Sequence, residues 1–325
     1  YLYDEYTPRL RATDSHTAFI KIAEGCDRPC AFCSIPAMRG SFRSRRFGSI
    51  MQEAQHLADQ GVREVVLIAQ DSSRYGEDLG DIDGLAILID ELCKIEKLEW
   101  VRVMYTYPTH ISDGFLKAVA NNPKAVKYLD MPLQHASRNM LKAMKRGGTR
   151  ESLERLIGRV RDAVPDITIR TTFIVGYPGE TEEDFEELMK FVKNCRFDNV
   201  GVFTYSDEEG TPAFELGDKV DSEVAEDRRA RLMSEQASIS KSINEDKVGR
   251  VVDVMFEGVS DESELLWQGR LEGQAQEIDG LVLINDAPED FLPMSGKLVK
   301  VKITEAHDYD LVGEIVDAKP MESRS

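Results

Sequence analysis

The chain has 325 residues, 42% hydrophobic and 31% charged, enough to bury one large core and a smaller second one. No apolar run approaches the roughly 20 residues that span a bilayer, and the opening YLYDEYTPRLRATDSH lacks the basic-then-apolar order of a signal peptide, so the expectation is a cytoplasmic protein with no membrane contact. A net charge of −18 argues against general nucleic-acid binding, which needs a basic face, and suits a basic protein partner or a small ligand.

From residue 17 short apolar runs alternate with amphipathic stretches. The runs AFIKIA (18–23), EVVLIA (64–69), WVRVMY (100–105), VKYLDM (126–131), TIRTTFIV (168–175) and NVGVFTY (199–205) read as strands. Between them SIMQEAQHLADQG, DGLAILIDELCKI, SDGFLKAVANN, SRNMLKAMKR with RESLERLIGRVRDAV, and TEEDFEELMKFVKN read as helices. Ser112 before Asp113, and Thr181 before a run of acids, are helix-start signals. Six β–α repeats imply a parallel sheet, since each crossover needs a helix to return the chain. A long charged helix, roughly 222–247, follows. Beyond Gly249 the runs RVVDVMFEG, LLWQGRL, GLVLIND, GKLVKVKITEA and DLVGEIVDA come at short spacing, the pattern of a small antiparallel barrel.

Five cysteines, three of them within eight residues, do not form a secreted disulfide framework. Cys26, Cys30 and Cys33 lie in EGCDRPCAFCSIPAMRG, spaced C-x₃-C-x₂-C directly after the first strand. A zinc knuckle, a buried core and an iron–sulfur loop are the readings open to them. Zinc wants a fourth ligand, and no Cys or His lies nearby. Core cysteines do not gather beside Asp27, Arg28 and Arg39. Three thiolates can hold three irons of a [4Fe-4S] cubane and leave the fourth iron open to S-adenosylmethionine. Cys93 and Cys195 read as core residues.

The cysteine motif, with Phe32 before its last Cys, resembles the radical S-adenosylmethionine superfamily. FIKIAEGCDRPCAFCSIPAMRGSFRSR, LIAQDSSRYGED, RVMYTYPTHI, YLDMPLQHAS, TTFIVGYPGETEEDF and HDYDLVGEIV are together similar to the methylthiotransferases, and within them to the RimO type. The resemblance implies an α/β fold, a partial (β/α)6 TIM-like barrel of the radical SAM type followed by a TRAM barrel. It implies residues 1–16 as a linker, 17–247 as the radical SAM domain, 248–320 as the TRAM domain and 321–325 as a tail. It also implies methylthiolation of the β-carbon of an aspartate in the twelfth small-subunit ribosomal protein. An electron donor such as a flavodoxin or ferredoxin goes with that activity.

Carried over position by position, Gln70, Asp71 and Ser72 stand where the superfamily has a Gly-Gly-Glu stretch that binds the methionyl amino group. Gln134 would meet the ribose hydroxyls and Arg170 the methionyl carboxylate; Val175 and Gly176 would wall the adenine. Each also reads as an ordinary turn, helix-start, ion-pair or buried-strand residue. The basic run Arg39, Arg43, Arg45 and Arg46 reads equally as a solvated face or a contact surface. The family's N-terminal domain, with three further cysteines for an auxiliary [4Fe-4S] cluster, has no counterpart in this stretch. The expectation is therefore S-adenosylmethionine cleavage without sulfur insertion.

Residues 248–320 hold 16 Asp and Glu against 6 Lys and Arg. An RNA-binding barrel would be basic, so the acidic one favours a basic ribosomal protein over the tRNA adenosine that related enzymes modify. A scaffold that only holds the ribosomal protein is the competing reading outside catalysis.

Overall fold

The computed structural model of the chain describes residues 15–317. The expected tail and nearly all of the expected linker lie outside these residues. All six expected strands form: β1 (Thr17–Lys21), β2 (Glu64–Ile68), β3 (Trp100–Val103), β4 (Tyr128–Asp130), β5 (Thr168–Val175) and β6 (Asn199–Thr204). They pair in parallel as β1-β2-β3 and β4-β5-β6. A bridge between Val101 and Ala125 joins the two halves, and among the described strands none links β6 back to β1. The result is an open half-barrel.

The crossovers are helices, four of the six with a side-chain N-cap. They are α1 (Phe47–Asp59), α2 (Gly84–Leu92), α3 (Asp113–Asn121), α4 (Arg138–Ala143), α5 (Arg150–Ala163) and α6 (Glu182–Cys195). The Ser112 hydroxyl accepts from the Phe115 N–H, and Thr149 and Thr181 form reciprocal capping boxes with Ser152 and Asp184. Strand β5 shows how the two faces divide. Ile169, Thr171, Phe173 and Val175 are buried, while Arg170, Thr172 and Ile174 are half-buried on the opposite face. Cys195 is buried and Cys93 packs against the same core, and burial pushes both thiols up to about 12.

A short ladder, Ala23–Glu24 with Arg43–Ser44, ties off the two ends of the cysteine loop. Within the basic run Arg45 is buried and paired with Glu53, so that residue is structural.

The long helix α7 (Ser222–Glu245) leads to five strands, β7 (Val251–Val259), β8 (Trp267–Arg270), β9 (Val282–Asp286), β10 (Leu298–Ala306) and β11 (Leu311–Asp317), which close into a barrel. The expected antiparallel pairing holds at every seam but one, where β9 runs parallel to β11. An odd number of strands cannot alternate direction all the way round a closed barrel, so one parallel seam is obligatory. Phe256, Trp267 and Phe291 pack edge to face in its core at 5.4–6.3 Å.

The small barrel abuts the N-terminal ends of the half-barrel strands. Met255 and Ala275 pack on Val66, Trp100 and Tyr128. Beside them Glu64, fully buried, accepts from Arg102 at 2.7 Å and from Arg270 at 2.6 Å. Arg270 also bonds Glu257 at 2.5 Å. The cysteines follow the opposite, C-terminal end of β1, where parallel β/α folds carry their chemistry.

Candidate cofactor site

The cysteine loop is pinned by its own backbone. Gly25 runs at φ +83°, and a Cβ there would lie 2.2 Å from the Ser41 carbonyl oxygen, so only glycine lets the two ends of the loop approach. The Cys26 N–H donates to the Gly40 carbonyl, the Gly25 N–H to Gln70 Oε1 at 2.8 Å, and the Phe42 N–H to Asp27 Oδ1 at 3.1 Å. Further along, the Ala31 N–H donates to the Met144 carbonyl and the Ala213 N–H to the Ala31 carbonyl.

Two of the three sulfurs face an N–H donor. The Arg28 N–H points at Cys26 Sγ and Arg146 Nη1 at Cys30 Sγ, both at 3.5 Å, and the Ile35 backbone favours the Cys33 thiolate against its burial. Such donors suit thiolates that carry metal, because they offset charge on sulfur. Burial pushes the Cys26 and Cys33 thiols above their ordinary range, so loading metal there must displace protons. Among the described residues no three His, Cys, Asp or Glu side chains converge on one ion. A cubane does not require that, since each thiolate takes its own iron. Cys26 and Cys30 open onto a cleft of about 450 Å³ shared with Arg28, Pro36, Gly40 and Lys145. The donor set and the cleft fit a [4Fe-4S] cluster.

The remaining expected residues divide. Phe32 joins Ile174, Tyr205, Met140, Met144 and Tyr177 in one apolar cluster beside the loop. Val175 is buried, and Gly176 runs at φ +72° with its Cα against Ala225. Gln134 adopts a left-handed φ of +75° four residues past β4, as Tyr105 does (+60°) after β3. Non-glycine residues held there are strained and cluster at functional sites.

The stretch after β2 is mostly committed. Gln70 accepts from Gly25, and Asp71 takes two hydrogen bonds from Arg28, at 3.0 and 2.9 Å, plus one from Ser73. Only the fully buried Ser72 hydroxyl has no hydrogen-bond partner among the described residues. Arg170 is engaged in ion pairs, the alternative its sequence also offered. Its Nη1 donates to buried Asp130 at 2.9 Å and its Nε lies 3.6 Å from Asp279 of the terminal barrel.

Three side chains that sequence reasoning passed over surround the loop. Arg28 and Arg146 both stack on Tyr107, with guanidinium carbons 3.9 and 4.2 Å from the ring centroid. Tyr107 lies in YPTH and Arg146 just before Gly147 and Gly148, both at positive φ; those local words were the available signal. Nearby, the Ser137 N–H donates to His135 Nδ1, leaving Nε2–H to donate to Glu180 at 2.9 Å. Glu180 also accepts from Arg228 and from the Gly176 N–H, fixing the turn after β5.

Residues 20–192 match the family model of the radical SAM superfamily, and residues 248–316 match that of the TRAM domain. The chain is 53% identical over 316 residues to the ribosomal protein uS12 methylthiotransferase RimO of Koribacter versatilis, covering 97% of this chain and 63% of that protein. It therefore spans less than two thirds of that relative's length. With the protein of the same name from Solibacter usitatus it is 50% identical over 318 residues, covering 97% of this chain and 68% of the relative. Among solved structures, coproporphyrinogen III oxidase (HemN) from Escherichia coli, a radical SAM enzyme, superposes with a TM-score of 0.52 at 13% identity, covering 80% of this chain and 67% of that one. TsrM from Kitasatospora setae, with cobalamin and a [4Fe-4S] cluster bound, gives 0.51 at 20% identity, covering 61% and 38%. At these identities the likeness is one of fold.

Proposed function

Because the chain belongs to the radical SAM superfamily and, within it, to the RimO-type uS12 methylthiotransferases, we propose that it binds a [4Fe-4S] cluster and S-adenosylmethionine, and that in the whole enzyme it serves methylthiolation of an aspartate β-carbon in a basic ribosomal protein. The observation that carries this reading is the cysteine loop at the C-terminal end of β1, with an N–H donor facing the Cys26 and Cys30 sulfurs. We assign residues 17–247 to this cofactor chemistry and 248–320 to a TRAM domain. No helix among the described residues is long and apolar enough to cross a membrane; the cytoplasm is the compartment that suits a ribosomal-protein substrate.

When bound, the reduced cluster supplies the electron that cleaves S-adenosylmethionine and opens a radical route to an unactivated carbon. The chain's residues bind, orient and exclude water. Cys26, Cys30 and Cys33 hold the metal. Phe32, Ile174 and Tyr205 offer an apolar wall for an adenine, with Val175 behind them and Gly176 keeping the wall's edge close to α7. The Ser72 hydroxyl is the polar atom left over after β2 for the methionyl amino group, with Gln70 and Asp71 shaping the loop that faces it. Gln134, on its strained backbone, is suited to the ribose hydroxyls. Sulfur insertion needs an auxiliary cluster held outside this stretch, and the electron comes from a flavodoxin or ferredoxin.

The test is anaerobic reconstitution of the chain. It should take up about four irons, lose them when all three cysteines become Ala, and release methionine from S-adenosylmethionine under strong reductant. It should add no methylthio group to the ribosomal protein. An unchanged iron content in the triple variant would sink the cysteine assignment. Failure to cleave S-adenosylmethionine at full iron loading would favour the non-catalytic scaffold instead.

A further inference from the structure

Arg146 is held from three sides beside the cysteine loop. Its Nη1 lies 3.5 Å from Cys30 Sγ, its Nη2 donates to the Pro132 carbonyl, and its guanidinium carbon stands 4.2 Å from the Tyr107 centroid. The Tyr107 hydroxyl donates back to the Arg146 carbonyl at 3.4 Å. Arg28 occupies the same ring at 3.9 Å. Two guanidiniums this close to one centroid would overlap on a shared face, so the ring is sandwiched between them.

The two arginines differ in charge balance. Arg28 is neutralised by buried Asp71 through two hydrogen bonds. Arg146 has no acidic partner among the described residues, and its charge is left facing the sulfur. A hydrogen-bonding cation beside a ligand thiolate stabilises the oxidation state with more negative charge on the sulfurs, which is the reduced one.

We propose that Arg146 is a positioning residue that raises the reduction potential of the cluster, with Tyr107 as its clamp. The inference rests on the reading of Cys26, Cys30 and Cys33 as cluster ligands. In the step concerned, one electron passes from a low-potential flavin or iron–sulfur carrier protein to the cluster. The carrier is oxidised by one electron, the cluster gains one negative charge, and no covalent bond forms or breaks.

The measurement is a redox titration of the reconstituted chain, followed by electron paramagnetic resonance with dithionite as reductant. Arg146→Met should keep its iron and lose about tenfold in the equilibrium constant for reduction, a downward shift of about 59 mV for one electron. Arg146→Gln, which keeps a donor without the charge, should fall between it and the parent. Tyr107→Leu should shift the midpoint the same way by less. A merely structural role would lower thermal stability and leave the midpoint alone. An unmoved midpoint in Arg146→Met at full loading overturns the inference. If that variant fails to load, unmoved midpoints in Arg146→Gln and Tyr107→Leu do so. A parent chain that takes up no four-iron cluster overturns the cysteine reading and the inference together.

Discussion

Gly176 sits where backbone and packing both exclude a side chain. Its φ is +72°, and an added Cβ would lie 2.4 Å from the Cβ of Ala225 on α7. Gly158, exposed in the interior of α5, has nothing within 4 Å of the same position. Gly176→Ala should therefore cost about 1–2 kcal/mol in backbone strain and about 1–3 kcal/mol in overpacking. Gly158→Ala should stabilise by about 0.5–1 kcal/mol through helix propensity. Urea unfolding of the two variants separates these signs, and equal midpoints would contradict the close approach of α7 to the end of β5.

The junction between half-barrel and small barrel depends on a buried charge cluster of Glu64, Arg102 and Arg270. Burial alone would push Glu64 up, but Arg270 and Arg102 outweigh it and hold the carboxyl down at about 2. Because this folded value lies below the ordinary 4.5, its stabilisation is complete above pH 4.5 and is lost as pH falls through about 2. Glu64→Gln leaves two buried guanidiniums with one carboxylate partner fewer and should cost about 3–5 kcal/mol. Thermal melts between pH 6 and 2 provide the check. The parent should lose stability below pH 4.5 more steeply than the variant, and parallel curves would refute the linkage.

Across the whole molecule, more than half of the net charge of −18 falls on residues 248–320, with 16 Asp and Glu against 6 Lys and Arg. The cysteine loop is flanked by Arg28, Arg146 and the exposed Lys145, whereas the small barrel exposes Asp261, Glu262, Glu264, Glu289, Asp290 and Asp308. If that barrel docks a basic ribosomal protein, each exposed contact contributes only about 0.2–1 kcal/mol, so single replacements should be nearly silent. Reversing several together should slow association and flatten its salt dependence. A tRNA ligand would respond with the opposite sign, because removing acids adds phosphate affinity. Titrating the chain and a charge-reversed form with both ligands at two salt concentrations decides the substrate. Salt-sensitive binding of tRNA by the parent, with none of the ribosomal protein, would overturn the choice.

The sequence by itself determined what local chemistry can encode. Apolar runs set the six parallel strands, Ser112 and Thr181 set helix starts, and five short runs set the small barrel, because strand period and capping act over a few neighbouring residues. The cysteine loop was legible for the same reason, its three thiols lying within eight residues. Tertiary structure alone decided the partners of polar side chains. Folding sets Asp130 and Asp279 beside Arg170, the ion-pair alternative its sequence also offered, and sets Arg28 beside Asp71. Tyr107 and Arg146 acquire their role only where three separate loops meet. Hydrogen bonds and ion pairs act over a few ångströms, and only the packed chain brings residues dozens of positions apart within that reach.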